Sequence, residues 1–211
     1  MVPGRHIAIE GPIGVGKSAL VRLLCDRLDA RAVLAPDDNP FLDGFYANPQ
    51  RYGLQAQLSF LLGRYQQRDE LRQEELFHRG GVVTDYLFAR DRLFAQLNLS
   101  RDELALYDKV YSLLDPGVPR PDLVVYLQAR TDVLEARIRK SSEGRRVPRD
   151  YIARVNEAYA EFFFQFSDCP LLVVNTSEID FVANREHLDE LAAVIRRTTH
   201  GVHHYSPLGA G

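Results

Sequence analysis

The sequence is poor in the residues that mark disulfide-stabilised, metal-binding or membrane proteins. Its two cysteines, Cys25 and Cys169, fit neither a disulfide framework nor a zinc motif, so we expect a reducing compartment such as the cytoplasm. No apolar run approaches the roughly 20 residues of a membrane span, and even the run 171–174 ends in Asn175. Residues 1–6 lack the apolar core of a signal peptide, and we therefore expect no membrane association.

The sequence also has no excess of positively charged residues. The chain has 26 lysines and arginines against 29 acidic residues, a net charge of -3, which argues against nucleic acid as a partner. Any anionic ligand must then meet local positive groups. The 211 residues, 45% of them hydrophobic, suit one globular domain. We expect this domain over residues 1–199 and a frayed tail over residues 200–211, where glycine and proline recur.

Short apolar runs rich in β-branched residues alternate with helical patterns. The runs cover residues 6–10, 32–34, 82–84, 123–127 and 171–174. Strands separated by helices predict an α/β fold, with a five-stranded parallel sheet covered by helices on both faces. A long helix is predicted over roughly residues 50–78, and Ser100 with Glu103 predicts a capping box at a later helix start. Ligands bind at the carboxyl ends of such strands.

A complete phosphate-binding loop follows the first predicted strand and precedes an amphipathic helix. It reads Gly11-Pro12-Ile13-Gly14-Val15-Gly16-Lys17-Ser18. The glycines let backbone N–H groups converge on phosphate oxygens. Lys17 can bridge the β- and γ-phosphates, and the Ser18 hydroxyl can bind Mg²⁺. The loop predicts a P-loop NTPase-type sheet with ATP and Mg²⁺ as cofactors. The chain lacks the Asn-Lys-x-Asp motif of small GTPases, and its third strand closes with Asp85-Tyr86, unlike the Asp-Glu pair of motor ATPases.

Nearly the whole chain up to the tail resembles the deoxyribonucleoside kinases, and within them the bacterial deoxyguanosine/deoxyadenosine kinases. Besides the phosphate loop, the segments that carry the resemblance are 39–42, 45–46, 51–64, 85–86 and 151–159. The resemblance implies transfer of the ATP γ-phosphate to the 5′-hydroxyl of a deoxynucleoside, with a purine expected. Ser18 and, through water, Asp85 would hold Mg²⁺. It also implies a homodimer built on long helices.

The resemblance implies an acceptor site of four side chains, and the aromatic residues of the sequence suggest one more. Tyr46 corresponds to the tyrosine that holds the sugar 3′-hydroxyl, and Gln57 and Arg64 correspond to residues that read the base edge. Asp91 matches a further base-reading aspartate, and Phe88 could stack on the base. Gln57 and Arg64 are two helical turns apart and therefore share a face. An amide offers a donor and an acceptor, while a carboxylate accepts from exocyclic amines.

An arginine-rich segment, residues 137–149, corresponds to a lid in the resembled family. Arg137, Arg145 and Arg146 are the candidates to contact the transferred phosphate, because arginine can stabilise transition-state charge. The alternative interpretation is an ordinary solvated helix end, where cations are also favourable.

The chain departs from the family at the expected proton acceptor. A glutamate that usually follows the second strand falls on Leu34 or Ala35. Asp37 or Asp38 can take its place if the loop is shifted, or Asp85 can orient the hydroxyl. A strong base is not essential, because positioning and electrostatics dominate a loose phosphoryl-transfer transition state.

A second departure follows Asp85, where many relatives carry arginine and this chain has Tyr86. Arg90 or Arg92 could supply the missing charge. These departures leave two alternatives open. The first is a kinase for nucleoside monophosphates or another small hydroxyl compound. The second is a nucleotide-binding regulator without kinase activity.

Overall fold

The computed structural model describes residues 4–36, 38–77, 81–140, 147–181 and 183–206. The strands in this part of the chain are β1 (His6–Glu10), β2 (Arg31–Val33), β3 (Val82–Thr84), β4 (Leu123–Gln128), β5 (Leu171–Asn175) and β6 (Val202–Tyr205). The α-helices are α1 (Lys17–Leu28), α2 (Leu42–Ala47), α3 (Pro49–Gln66), α4 (Arg68–Phe77), α5 (Arg90–Asn98), α6 (Arg101–Leu114), α7 (Thr131–Lys140), α8 (Arg149–Phe164) and α9 (Arg185–Arg197).

The strands form one parallel sheet in the order β2-β3-β1-β4-β5-β6. The predicted α/β fold is confirmed, but five strands was one too few. β6 pairs with β5, with Val202 opposite Leu171, so the expectation of a frayed tail is wrong for residues 202–205. The Tyr205 ring is buried, and its hydroxyl donates to Glu190 at 3.1 Å, which anchors this strand. Residues 207–211 lie outside the described part.

Helices cover both faces of the sheet, as predicted. Alternate residues of a strand point to opposite faces. Accordingly, Ile7 and Ile9 of β1 pack in the core that α1, α7 and α9 complete, whereas Ala8 packs with Tyr159 of α8. All four side chains are buried. Full burial of an isoleucine side chain such as Ile9 contributes about 1.5–3 kcal/mol.

The predicted long helix is two helices, α3 and α4, that meet at Gln67. The Gln67 side chain donates to the Leu34 carbonyl at 2.7 Å, a tertiary contact that fixes the break. α3 begins after Asn48, whose side chain accepts from the Arg51 amide, and Pro49 suits the first helical position. The capping box at Ser100 is present as predicted. Among the described helices, none has the length and apolar composition that a bilayer crossing requires.

Candidate active site

The phosphate loop connects β1 to α1 at the carboxyl edge of the sheet. The loop requires glycine at one position for its backbone conformation and at another for lack of space. Gly16, immediately before α1, has a φ of 99°, which is strained for residues with a side chain. At Gly11 a Cβ would lie 2.5 Å from the Leu127 carbonyl oxygen, so no side chain fits there. The glycines thus allow the loop to turn closely over β4 and into the helix.

Lys17 is folded onto its own loop. Its amine donates to the carbonyls of Gly11 at 2.8 Å and Pro12 at 3.2 Å. The residue is partly exposed, but the amine is turned inward, and this burial, with a smaller effect of the Arg90 charge, lowers the pKa of Lys17 to about 8. A bound phosphate would therefore replace these two carbonyls as the hydrogen-bond acceptor of the Lys17 amine, and its negative charge makes it the stronger partner.

Ser18 and Asp85 meet where β1 and β3 end. The Ser18 hydroxyl donates to Asp85 Oδ2 at 2.5 Å, and the Ala35 amide donates to Asp85 Oδ1 at 2.6 Å. A hydroxyl and a carboxylate in contact fit Mg²⁺, which takes oxygen ligands and is usually bound by one or two carboxylates together with substrate phosphates. Within the described residues there is no cluster of three or more metal-ligating side chains, so any ion here depends on the nucleotide as well.

Leu34 and Ala35, one of which takes the place of the expected glutamate, lie just after β2. Ala35 is held through its backbone amide, which donates to Asp85, and Leu34 through its carbonyl, which accepts from Gln67, so the segment is fixed by backbone contacts. Asp38 is exposed to solvent, and Asp37 lies outside the described residues. Asp85 is thus the carboxylate that contacts both this segment and the phosphate loop.

Arg64 of α3 and Asp91 of α5 form a buried ion pair. Gln57 is buried on the same face of α3, two turns before Arg64. Asp91 Oδ2 and Arg64 Nε are shielded from solvent and have no hydrogen-bond partner within the described residues, so each retains bonding capacity. Burial raises the pKa of Asp91, and the Arg64 charge opposes this rise. The structure thus joins two of the predicted base-reading residues in an ion pair, and the third is buried on the same face of α3.

Tyr46 and Phe88 lie in different surroundings. The Tyr46 ring makes an edge contact with Tyr151, with centroids 6.2 Å apart. The Phe88 ring is buried and stacks on Tyr111 at 5.3 Å, within an apolar cluster that includes Tyr107. Packing alone accounts for Phe88 here. Contact of Tyr46 with a sugar and of Phe88 with a base stay predictions.

Arg137 joins two loops. Its guanidinium donates to the Thr176 carbonyl at 2.7 Å, the Thr176 hydroxyl at 3.1 Å, and the Ile179 and Val15 carbonyls at 3.3 and 3.4 Å. It thus ties the phosphate loop to the segment after β5, and its contact with phosphate stays a prediction. The other predicted lid residues, Arg145 and Arg146, lie outside the described residues.

Glu10 is the site residue that sequence reasoning missed. Its carboxylate is fully buried and receives four donors: the amides of Gly11 and Leu87, both at 2.8 Å, the Tyr159 hydroxyl at 3.0 Å and the Arg90 guanidinium at 3.2 Å. The sequence did contain a signal for this role. A charged residue at the end of an otherwise apolar, buried strand must be paired, because burying an unpaired charge is costly.

A family model described as deoxynucleoside kinase matches residues 7–200. The chain belongs to the deoxynucleoside kinase family. It is similar to the deoxyguanosine kinase of Bacillus subtilis (strain 168), 30% identical over 197 residues that cover 90% of this chain and 95% of that protein. It is also similar to the deoxyadenosine kinase of Lactobacillus acidophilus, 29% identical over 214 residues that cover 90% and 96%. The family resemblance seen in the sequence is confirmed.

Solved structures of the family share this fold. A structure of deoxyadenosine kinase from M. mycoides with the products dCMP and a flexible dCDP bound has a TM-score of 0.76, 23% identity, and coverage of 90% of this chain and 98% of that one. The same protein with bound dATP has a TM-score of 0.75 and coverage of 92% and 100%. The parallel sheet of this kinase, with helices on both faces, is therefore the fold of its family.

Proposed function

We propose that this kinase transfers the γ-phosphate of ATP to the 5′-hydroxyl of a purine deoxynucleoside, either deoxyguanosine or deoxyadenosine. The proposal rests on one observation: the molecule contains both a phosphate-binding site and a buried polar pair suited to a base. A phosphate loop with Lys17, Ser18 and Asp85 lies at one position, and the buried Arg64–Asp91 pair lies across the adjoining helices α3 and α5. The similarity to deoxyguanosine and deoxyadenosine kinases supports the purine.

The donor half binds the triphosphate. The backbone of residues 11–16 and the Lys17 amine surround the β- and γ-phosphates, as the loop geometry favours. Ser18 and Asp85 would hold Mg²⁺, which would neutralise phosphate charge when bound. Arg137 keeps this loop aligned with the segment after β5, where the adenine of ATP would lie.

The acceptor half recognises the deoxynucleoside. Gln57 offers a donor and an acceptor to the base edge, and Asp91 Oδ2 accepts from an exocyclic amine or a ring N–H. Arg64 holds Asp91 in place and can donate through its free Nε. Tyr46 contacts the sugar 3′-hydroxyl. Buried polar groups without partners favour a ligand that supplies them, because leaving them unmet costs about 1–3 kcal/mol each.

Asp85 orients the 5′-hydroxyl for transfer. It accepts from Ser18 and from the Ala35 amide, so its position relative to the phosphate loop is fixed. Positioning and electrostatic stabilisation provide most of the rate enhancement in phosphoryl transfer. The absence of a glutamate at Leu34 or Ala35 is compatible with activity for that reason. Asp37, Arg145 and Arg146 stay candidates for further roles in this step.

A substrate panel tests the proposal. The protein is incubated with Mg-ATP and a series of nucleosides, deoxynucleosides and nucleoside monophosphates, and the phosphorylated products are measured. Deoxyguanosine or deoxyadenosine should be converted to the 5′-monophosphate, and Lys17→Ala should abolish this conversion. Transfer only to monophosphates would favour a monophosphate kinase. Nucleotide binding without phosphoryl transfer would favour a regulator, the alternative suggested by the missing glutamate at Leu34 or Ala35.

We infer in addition that the kinase is a homodimer in the cytoplasm. The dimer rests on the family resemblance, and the location rests on the two free cysteines and on the absence of a membrane-spanning helix among the described residues. Light scattering coupled to size-exclusion chromatography measures the oligomeric state. Fractionation of the source cells measures the location.

A further inference from the structure

The four donors around Glu10 come from three segments of the chain: the phosphate loop, the turn that leads into α5, and α8. Gly11 begins the phosphate loop, and Leu87 lies between β3 and α5. Arg90 is the first residue of α5, and Tyr159 lies in the middle of α8. One carboxylate therefore joins the donor half of the site to the segment and helix that lead into the acceptor half.

A packing role does not explain a carboxylate at this position. The preceding residues of β1 include Ala8 and Ile9, which are apolar and buried, so an apolar side chain would extend the same core. Burying a charge is costly unless it is paired and hydrogen-bonded. Glutamine has one acceptor oxygen and a donor amide in place of two acceptor oxygens, so it cannot accept from all four donors at Glu10.

The connection to the acceptor half runs through α5. Glu10 fixes Arg90, and the next residue is Asp91, which pairs with Arg64 of α3. The Leu87 amide, bonded to the same carboxylate, fixes the chain just before this helix begins. The position of Asp91 relative to the phosphate loop is therefore determined by a short path through buried polar contacts.

We propose that Glu10 is a positioning residue that holds the phosphate loop in register with α5, and so sets the distance between the ATP γ-phosphate and the acceptor hydroxyl. The inference rests on the proposed function. Glu10 has no exposure to solvent, so it acts through Arg90, Leu87 and Gly11 and does not touch the nucleotide itself. A misplacement of about 1 Å between reacting groups can cost roughly 100-fold in rate.

Three variants and one control test this role. Glu10→Gln keeps the shape of the side chain but leaves Arg90 as an unpaired buried cation. Arg90→Met removes the cation, and the double variant removes both charges. Arg120→Met is the control, because Arg120 is exposed, pairs with Asp115 and makes no contact with Glu10. The measurements are Tm, the Kd for ADP by calorimetry, and kcat and KM with ATP and deoxyguanosine or deoxyadenosine.

Glu10→Gln should lower Tm and reduce kcat roughly 10- to 100-fold, while the Kd for ADP changes less than about threefold because the phosphate loop itself is intact. The double variant should recover much of the lost Tm, since no unpaired charge remains, and its kcat should stay low. Arg120→Met should match the wild type in every measurement. If kcat in the double variant recovers together with Tm, Glu10 serves stability alone and the proposal is wrong.

A measurement without turnover separates this proposal from the proposed function. Hydrogen–deuterium exchange is followed in wild-type and double-variant protein with and without ADP. In the wild type, ADP should slow exchange in the peptide that covers residues 87–98, because the occupied loop and α5 are joined through Glu10. In the double variant, ADP should protect only the phosphate loop. A wild-type protein that makes no product refutes the proposed function, whereas equal protection of residues 87–98 in both proteins, or none in either, refutes the role of Glu10.

Discussion

Arg64 and Asp91 form an ion pair whose two side chains are almost wholly removed from solvent, at the place where α3 packs on α5. Each still has one polar atom without a partner within the described residues. A pair that is buried yet incompletely bonded is costly to maintain for stability alone. It is well suited to a ligand that completes its hydrogen bonds.

Removing one member of this pair should damage both folding and recognition. Asp91→Ala leaves the Arg64 charge unpaired in the interior, so we expect a loss of about 3–5 kcal/mol in the free energy of unfolding. The kcat/KM for the preferred deoxynucleoside should also fall, more than the KM for ATP rises. Chemical denaturation and steady-state kinetics measure these effects. Asp189→Ala is the control, because Asp189 is exposed on α9, where it pairs with Arg27, and its loss should leave both properties unchanged.

Arg137 should affect ATP more than the acceptor. Arg137→Lys removes the planar fork that donates to Thr176 and Ile179, and lysine cannot make the same set of bonds. We expect the KM for ATP to rise roughly 10-fold, the effect of losing about 1.4 kcal/mol of binding, with little change in the KM for the deoxynucleoside. Arg139→Lys, at an exposed position on the same helix, should behave as the wild type. An equal rise in both KM values would contradict the assignment of Arg137 to the donor half.

Asp85 and Asp38 can be distinguished by the same substitution at each position. Asp85→Asn keeps the size of the side chain but removes the charge that contacts Ser18, so kcat should fall by about 100-fold or more. Asp38→Asn changes an exposed carboxylate in the neighbouring segment and should leave kcat near the wild-type value. Steady-state kinetics at saturating Mg-ATP measure both. A large loss for Asp38→Asn alone would transfer the role of hydroxyl orientation from Asp85 to Asp38.

His6 should make the stability of the fold depend on pH. Burial at the start of β1 lowers the pKa of His6 to about 4, with the Asp122 charge opposing the change. The unfolded chain has the ordinary pKa of about 6.5 and binds a proton first as pH falls. Stability is therefore complete above pH 6.5 and decreases between pH 6.5 and 4, by about 2 kcal/mol at pH 5.

The His6 variant provides the measurement. His6→Asn should flatten the fall of Tm between pH 7 and 5, whatever its effect on Tm at pH 7. His204→Asn, at an exposed position in β6, should leave the slope unchanged. An unaltered slope in His6→Asn would mean that another group dominates acid sensitivity in this range.

Local sequence patterns predicted the parts of the fold that are governed locally. The apolar run of β1 predicted a buried strand, and the glycines after it predicted the phosphate loop. Ser100 and Glu103 predicted a capping box that the structure contains. Each of these features depends on residues within a few positions of one another, where propensity and hydrogen-bonding chemistry act directly.

The features that escaped prediction depend on distant contacts. The break between α3 and α4 is fixed by Gln67 reaching the Leu34 carbonyl, and a helical pattern through residue 67 gives no sign of it. β6 is stabilised by pairing with β5 and by the bond from Tyr205 to Glu190, although its own residues are mostly polar and exposed. Glu10 was recognisable as unusual, but its four donors come together only in the folded chain.

The two outer strands of the sheet affect the tendency of this protein to aggregate at high concentration. β2 has three residues and β6 has four, and they form the two margins of the described sheet. Short margins offer few unpaired backbone groups to another molecule. Concentrated solutions of the protein should therefore resist aggregation through sheet extension.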